Sequence, residues 1–258
     1  MSARQTEPVT PLGALAVVAA GTLAGAVNTI VGSGSLVTFP TLLALGYPPV
    51  VANVSNTVGL VPGSVSGAIG YRRELTGQRR RLVALGTMSL LGGFTGAVLL
   101  LAAPGTFRAV VPFLILLASG LMALQPRLAR RGDAAGRPVL SAPGMLPLLV
   151  YSTGIYGGYF GAAQGVLLLA FLSLGLTDDL QRLNATKNVL AAIVNGVAAV
   201  IFIVVSQVDW LAAGLIAGGA VAGGTAGAAL GRRIPTRVLR YVVVGGGTAV
   251  AIVLLTQR

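Results

Sequence analysis

The sequence predicts an all-α, polytopic membrane protein, and three observations lead to that class. Its 258 residues are 55% hydrophobic and only 9% charged, whereas a soluble domain carries about 25% charged residues. The mean hydropathy is +0.87. Apolar runs long enough to span a bilayer, about 20 residues each, recur along the chain. A soluble globule of this size could not hide so much apolar surface, which argues against a soluble enzyme.

The apolar segments differ in length, and the difference is informative. In chain order they are 12–31, 35–46, 50–71, 82–101, 107–124, 143–160, 165–175, 183–205, 211–230 and 238–256. Most are long enough to cross a bilayer. Segments 35–46 and 165–175 are not, since a helix rises about 1.5 Å per residue. These two short segments predict helices that reach only halfway through the membrane.

Charge and residue usage narrow the functional class. The net charge is +12, but the basic residues lie between apolar segments, so we interpret them as topology signals and expect no nucleic-acid partner. The chain has neither cysteine nor histidine, the usual soft metal ligand and the commonest general base. We therefore expect no metal, no cofactor and no enzymatic activity.

The chain contains two copies of one unit. Matching pairs at an offset of 129 are Gly25 with Gly154, Gly32 with Gly161, Leu45 with Leu174 and Gly46 with Gly175; at an offset of 131 they are Asn53 with Asn184, Ser55 with Thr186, Gly92 with Gly223, Gly96 with Gly227 and Pro104 with Pro235. Because segment 12–31 has a partner in the second copy, we interpret it as part of the fold and not as a signal peptide.

Arginine placement predicts that the two copies have opposite orientations. Loop 72–81, linker 125–140 and loop 231–240 are arginine-rich and should be cytoplasmic, whereas loop 206–210 has no basic residue and should be outside. The predicted architecture is two inverted-topology repeats, each a broken or re-entrant helical hairpin plus three transmembrane helices. The predicted units are an N-terminal tail, 1–11, a first repeat, 12–124, the basic linker, 125–140, and a second repeat, 141–256.

The tips of the two hairpins are candidate ligand sites. They read Gly-Ser-Gly-Ser at 32–35 and Gly-Ala-Ala-Gln-Gly at 161–165. A half-helix that begins after each tip would direct free N–H groups and the positive end of its dipole toward the midplane, which favours an anion. The alternative interpretation is a pair of helix breaks filled by close packing.

The helix after each hairpin carries polar residues on one face. Asn53, Thr57 and Ser64 are spaced i, i+4 and i+11, and their counterparts are Asn184, Asn188 and Asn195. All these side chains are neutral and can donate a hydrogen bond. They fit either a ligand site or ordinary interhelical hydrogen bonding, which is common in membranes.

Lys187 is the most informative single residue. It is the only lysine, and its repeat counterpart is the neutral Asn56. An ionisable group within a spanning helix is a functional candidate by default, and the alternative is a lysine that snorkels to the cytoplasmic surface. All six acidic residues fall in predicted loops or tails: Glu7, Glu74, Asp133, Asp178, Asp179 and Asp209. A carboxylate proton relay within the membrane is therefore not expected.

These motifs resemble a known family. The motifs are Gly25-Ala-Val-Asn28-Thr-Ile-Val-Gly32-Ser-Gly34-Ser35 with Leu45-Gly46, Asn53-Val-Ser-Asn-Thr57, Asn184-Ala-Thr186-Lys187-Asn188 and Gln207-Val-Asp209-Trp210. In order and spacing they are similar to the TauE/SafE family of sulfite exporters, from about residue 12 to residue 256. The second tip, Ala-Ala-Gln-Gly, departs from the glycine-richer tips of many members. The resemblance implies transport of sulfite, sulfonates or related small anions.

The combined hypothesis is a multi-pass transporter in the cell membrane that binds a small anion between the repeats. The candidate binding residues are Asn28, Ser33, Gly34, Ser35, Asn53, Thr57, Ala163, Gln164, Gly165, Asn184, Thr186, Lys187 and Asn188. The expected partners are the anion and the lipid bilayer, and assembly into a homo-oligomer stays open. The alternatives are an anion channel, which would use the same tips as a filter, and a non-transporting membrane subunit or scaffold.

Overall fold

The computed structural model is helical throughout the residues it describes. These are 10–134, 140, 142, 144–230, 244–245, 248–249, 251–252 and 256, and no strand occurs among them. The helices are α1 (Pro11–Ile30), α2 (Ser35–Ala44), α3 (Pro49–Gly70), a 3-10 turn (Arg72–Leu75), α4 (Arg79–Ala102), α5 (Pro104–Ala134), α6 (Met145–Tyr159), α7 (Gln164–Gly175), α8 (Leu180–Val205) and α9 (Trp210–Leu230). The all-α prediction is confirmed for this part of the chain. Loop 231–240 and most of segment 238–256 lie outside the described residues.

Five of the described helices are long and apolar enough to cross a membrane. They are Pro11–Ile30, Arg79–Ala102, Pro104–Leu124, Leu180–Val205 and Trp210–Ala229. Helix α3 has the length of a span, at 22 residues, but its six Asn, Ser and Thr side chains lower its hydropathy. Helices α2 and α7 are short, with 10 and 12 residues, as the two short apolar segments predicted.

Local sequence signals explain where several helices begin. The Thr10 side chain accepts a hydrogen bond from the Gly13 amide at 3.2 Å, and a proline follows as the first residue of α1. Asp179 caps α8, and Asp209 caps α9 by accepting from the Ala212 amide at 2.8 Å. These side chains satisfy amides that have no partner inside the helix.

Each half of the chain packs its first helix against the other half. Helix α1 lies on α9, and α6 lies on α4. The contacts are equivalent in residue detail: a Cβ added to Gly92 would collide with the carbonyl oxygen of Tyr151, and one added to Gly223 would collide with that of Thr22. Both glycines belong to GxxxG pairs, which let two backbones approach closely. These two contacts are therefore equivalent when the two halves are exchanged.

Helices α3 and α8, which are equivalent in sequence, run antiparallel along each other. The Asp209 amide, just beyond the end of α8, donates to the Ser55 hydroxyl near the start of α3 at 2.8 Å. Further along α3, Ser64 meets Asn195 in the second half of α8 at 3.2 Å. Because later residues of α3 meet earlier residues of α8, the two helices run in opposite directions. This pair forms the centre around which the hairpins are placed.

Candidate functional site

The structure brings the two hairpin tips into direct contact. Gly32, two residues after α1, has φ +93°, and Gly161, two residues after α6, has φ +81°, so both tips use the left-handed backbone that glycine adopts freely. The Gly165 amide at the start of α7 donates to the Gly32 carbonyl at 2.9 Å. A Cβ on either Gly32 or Gly165 would collide with the backbone of the other. These two glycines are therefore required for the tips to touch.

The first amides of the short helices are not all free. Besides Gly165, the Leu36 amide donates to the Ser33 carbonyl at 3.1 Å, and the Val166 amide donates to the Ala163 carbonyl at 3.0 Å. The sequence predicted free N–H groups at both tips, but these three amides are hydrogen-bonded. An anion that binds at the tips has to lie beside these amides or separate the tips.

Lys187 lies inside the protein and caps the broken end of α1. Its side chain is 0% exposed, and its ammonium donates to the carbonyl oxygens of Asn28 at 3.1 Å and Thr29 at 3.2 Å. The last carbonyls of a helix lack partners within it and form the negative end of its dipole, so a cation is stabilised there. This geometry rules out the snorkelling interpretation of Lys187.

Two asparagines on the same face of α8 reach the same place. The side-chain amides of Asn184 and Asn188 each donate to the Thr29 carbonyl oxygen at 3.2 Å. The prediction that they share one helix face is confirmed. Together with Lys187 they surround one main-chain oxygen with three donors, which fixes the end of α1 against α8.

A second group of polar residues joins three helices. The Ser64 hydroxyl on α3 accepts from the side-chain amide of Asn28 on α1 at 3.1 Å and from that of Asn195 on α8 at 3.2 Å. The sequence allowed two roles for the polar face, a ligand site or interhelical hydrogen bonding, and these bonds are interhelical. The Asn28 side chain belongs to this group, and the Asn28 carbonyl accepts from the Lys187 ammonium. Asn28 therefore connects the two sets of contacts.

The equivalent place in the other half is built differently. Asn53 on α3 donates to the carbonyl oxygen of Tyr159, the last residue of α6, at 3.2 Å. Asn56, the counterpart of Lys187, instead accepts a hydrogen bond from the Thr38 hydroxyl. The Thr57 hydroxyl donates to the Asn53 carbonyl in its own helix at 2.9 Å. Among the described residues, the side-chain donor at the end of α6 is thus the neutral Asn53, where the end of α1 has a cation.

Some buried polar atoms near the tips have no hydrogen-bond partner within the described residues. Both side-chain atoms of Gln164, which is 3% exposed, are in this state, as are Oδ1 of Asn53, Nδ2 of Asn56 and Oδ1 of Asn184. Buried polar groups in proteins are almost always hydrogen-bonded, so such atoms call for a ligand or water. Gln164 begins α7 beside Gly165, and its amide lies against Gly157.

The remaining predicted residues lie around the tips, with one exception. The Ser33 hydroxyl is 3.1 Å from the Met122 sulfur on α5. Gly34 precedes α2, Ser35 begins it, and Ala163 takes a left-handed conformation at φ 59° before α7. The exception is Thr186, whose hydroxyl lies 2.9 Å from the Gln78 side-chain oxygen, in contact with the loop before α4.

Four acidic residues lie between the long helices, where loops were predicted, whereas Asp133 falls within the last turn of α5. Glu74 is in the 3-10 turn, Asp178 and Asp179 precede α8, and Asp209 precedes α9. No described group of three His, Cys, Asp or Glu side chains could hold a metal ion. The partners that the structure gives the Lys187 ammonium are carbonyl oxygens and not a carboxylate.

Sequence reasoning missed the acceptors of this site. The Thr29 and Tyr159 carbonyl oxygens belong to the backbone, so no side-chain pattern marks them. The one available signal was the glycine after each helix, because a helix that ends inside the membrane leaves carbonyls that need donors. Gln78 was also missed, and its sequence context is an ordinary polar loop.

Comparison with known proteins identifies a membrane transporter family. Residues 17–254 match the profile of the family described as sulfite exporter TauE/SafE. The chain belongs to that family. The TauE/SafE chain is 31% identical over 185 residues to the probable membrane transporter protein YfcA of Escherichia coli K12 and 28% identical over 167 residues to the probable membrane transporter protein ORF9 of a Sinorhizobium species.

These matches cover 64% of YfcA and 63% of ORF9, so the chain matches under two thirds of their length. A probable membrane transporter protein of Haemophilus influenzae is 27% identical over 210 residues, 81% of each chain. With its five apolar helices, this TauE/SafE member is a multi-pass membrane protein of a transporter family.

Proposed function

We propose that the protein is a carrier that exports a small anion, sulfite or an organosulfonate, across the cell membrane. The anion binds near the midplane, where the two hairpin tips meet between α3 and α8. The observation that carries this proposal is the burial of Lys187 at a broken helix end, with no carboxylate partner among the residues that the structure describes. A buried cation of this kind favours a mobile counter-ion of opposite charge.

The donors required for an anion are present at this place. An ammonium has three N–H groups, and Lys187 uses two of them on the end of α1. The side-chain amide of Gln164 is buried and has no described partner. Gln164 adjoins Gly165, and Gly165 contacts Gly32 three residues after Thr29. A small oxyanion in this region would receive one cationic N–H and neutral amide N–H groups.

Inverted repeats are part of the proposal. The antiparallel α3–α8 pair and the exchange of α1 and α6 between halves support it, since both follow from two equivalent units of opposite direction. Single cysteines at Thr76 and Gln207 test the topology, because the native chain has no cysteine. We expect an impermeant thiol reagent to label Thr76→Cys from the cytoplasm only and Gln207→Cys from outside only. Labelling of both from one side would contradict the inverted arrangement.

Transport is tested in proteoliposomes with sulfite, sulfate, thiosulfate and sulfoacetate inside. We expect sulfite or the sulfonate to move and to be stimulated by the same anion on the opposite side, as a carrier requires. Flux without such trans-stimulation would indicate a channel, and no flux of any solute would indicate a scaffold. Movement of a cation or neutral solute with none of these anions would overturn the proposal.

A further inference from the structure

An ion-paired cluster lies between the two halves of the chain, at the end of α8 that leads to Lys187. The Asp178 carboxylate is paired with the Arg81 guanidinium on α4, and its other oxygen is 3.4 Å from Nε of Arg182 on α8. One carboxylate is thus held by two guanidinium groups that come from opposite halves of the protein. Residue 182 precedes Lys187 by five positions, about 7.5 Å along a helix.

Neighbouring contacts join the loop before α4 to the start of α8. Arg182 also donates to the Thr76 carbonyl at 3.2 Å, and the Thr186 hydroxyl meets Gln78 at 2.9 Å. Gln78 in turn donates to the Glu74 carbonyl at 2.8 Å. The loop before α4 therefore covers the first turns of α8. These contacts lie between this surface and Lys187 along α8.

The cluster has the chemistry of an oxyanion site. Guanidinium groups bind carboxylates and other oxyanions through paired N–H donors, and they do so better than ammonium groups. The side chains are partly open to solvent: 35% of Arg81, 34% of Arg182 and 21% of Asp178 are exposed. Ion pairs at this exposure contribute little net stability. An incoming oxyanion can therefore take the place of the carboxylate at low cost.

We propose that Arg81 and Arg182 form the cytoplasmic access site for the transported anion, and that the Asp178 carboxylate occupies this site as a built-in competitor while the path is closed. This inference rests on the proposed function, since it assumes an anion that moves from the cytoplasm to Lys187. An anion that displaces Asp178 also releases one of the contacts that hold the loop over α8. Binding at the access site and opening of the path are thereby linked.

The opposite end of the α3–α8 pair shows what is particular to this cluster. Gln78 and Thr186 have the sequence counterparts Asp209 and Ser55, and these two are also hydrogen-bonded, at 2.8 Å. The closing contact is thus present at both ends. The counterpart of Arg81 on α4 is Ala212 on α9. A guanidinium is therefore present at one end of the α3–α8 pair, and a methyl group takes its place at the other end.

The charge at this opposite end of the α3–α8 pair is unfavourable for an anion. Burial raises the pKa of the Tyr47 phenol, and the nearby Asp209 carboxylate raises it further, so Tyr47 stays neutral at physiological pH. A carboxylate without a described arginine partner repels a returning anion. The access site should therefore increase affinity on the cytoplasmic side only.

The test compares anion affinity from the two faces. Everted membrane vesicles expose the cytoplasmic face of the carrier, and intact cells expose the other face. With sulfite as the probe, we expect Arg81→Gln and Arg182→Gln to raise the cytoplasmic KM by about fivefold, and Asp178→Asn to lower it by a similar factor. KM at the outer face should stay unchanged. Arg80→Gln removes the same charge from an exposed neighbour and serves as the matched control.

The sign of the effect separates this proposal from an ordinary structural ion pair. A purely structural pair predicts that loss of Asp178 and loss of Arg81 change KM in the same direction. That outcome, or a cytoplasmic KM in Arg81→Gln and Arg182→Gln equal to that of Arg80→Gln, would overturn the access site. If the unaltered protein moves no sulfite or sulfonate, the proposed function fails instead, so the two failures are distinguishable.

Discussion

The ends of α1 and α6 are equivalent by sequence but differ in what binds them. The carbonyls at the end of α1 receive the Lys187 ammonium and two asparagine amides, whereas the carbonyl at the end of α6 receives the side-chain amide of Asn53. The helices around them pack in the same way after the halves are exchanged. The first helices of the two halves therefore pack alike, while a cation binds at the end of one of them.

Two sequence differences account for this asymmetry. Lys187 corresponds to Asn56, whose neutral amide carries no charge and bonds to Thr38 on α2. Asn188 corresponds to Thr57, whose hydroxyl donates within its own helix. A symmetric pair of buried lysines would place two like charges near the same tips, and such repulsion is costly in a medium of low dielectric constant. A single cation suits a monovalent or divalent anion in a small site.

The largest expected effect comes from the tips. Gly32→Ala should unfold or severely destabilise the protein, because the new Cβ is both strained at positive φ and in collision with the Gly165 backbone. Gly161→Ala is the matched control: its φ is also positive, but its nearest neighbour is the Gly157 oxygen at 3.2 Å. We expect a cost of about 1–2 kcal/mol there. Thermal unfolding in detergent compares the two, and equal stability would show that the tips do not need to touch.

The next effect is on transport. Lys187→Gln should lower anion affinity by tenfold or more, about 1.4 kcal/mol, since a charge-assisted hydrogen bond is lost. Lys187→Arg should also transport poorly, because the planar guanidinium differs in shape from the ammonium that fits the end of α1. Flux and thermal unfolding are measured on the same preparations. Unaltered affinity in a well-folded Lys187→Gln protein would limit Lys187 to a structural role.

A smaller difference is expected between two asparagines. Asn53→Ala removes the side-chain donor to the Tyr159 carbonyl, whereas Asn184→Ala leaves Thr29 with Lys187 and Asn188. Asn53→Ala should therefore cost about 1–2 kcal/mol of stability and Asn184→Ala less than about 1 kcal/mol. The reverse order in thermal unfolding would mean that the three donors on Thr29 act as one unit.

The smallest expected effect is that of ion gradients. The described spans hold no carboxylate, so a Na⁺ or pH gradient at zero potential should not drive uphill movement of the anion. A membrane potential should, because it contributes about 2.3 kcal/mol per charge at 100 mV. Sulfite flux in proteoliposomes with imposed gradients measures this. Uphill transport powered by Na⁺ alone would assign a cation site to the carbonyls at the broken helix ends.

Much of the helical framework could be predicted from hydropathy and glycine alone. The short helices α2 and α7 begin and end within two residues of the predicted segments 35–46 and 165–175. Helix α3 lies where segment 50–71 predicted it, but its polar residues keep it out of the five apolar spans. The polar face of α3 could be predicted because residues i and i+4 lie on the same face of a helix.

The partners of the candidate site could not be predicted in the same way. Lys187 was recognised from its charge, but its acceptors are main-chain oxygens of a helix that is distant in sequence. Thr186 has the same helical setting as its neighbours, yet it faces Gln78 and not the tips. The Arg81–Asp178 pair joins residues that only the packing of α4 near α8 brings together. Such pairings depend on tertiary geometry, which periodicity does not encode.

The exchange of first helices between the halves also sets an order of assembly during synthesis. Helix α6 is made after α4, so its glycine-lined partner is already in the membrane when it emerges. Helix α1 is made first, but the surface it requires, around Gly223 on α9, is among the last described segments to leave the ribosome. Until then the face of α1 that contacts α9 is covered by lipid or by the insertion machinery. The N-terminal half alone therefore lacks the main packing partner of its own first helix.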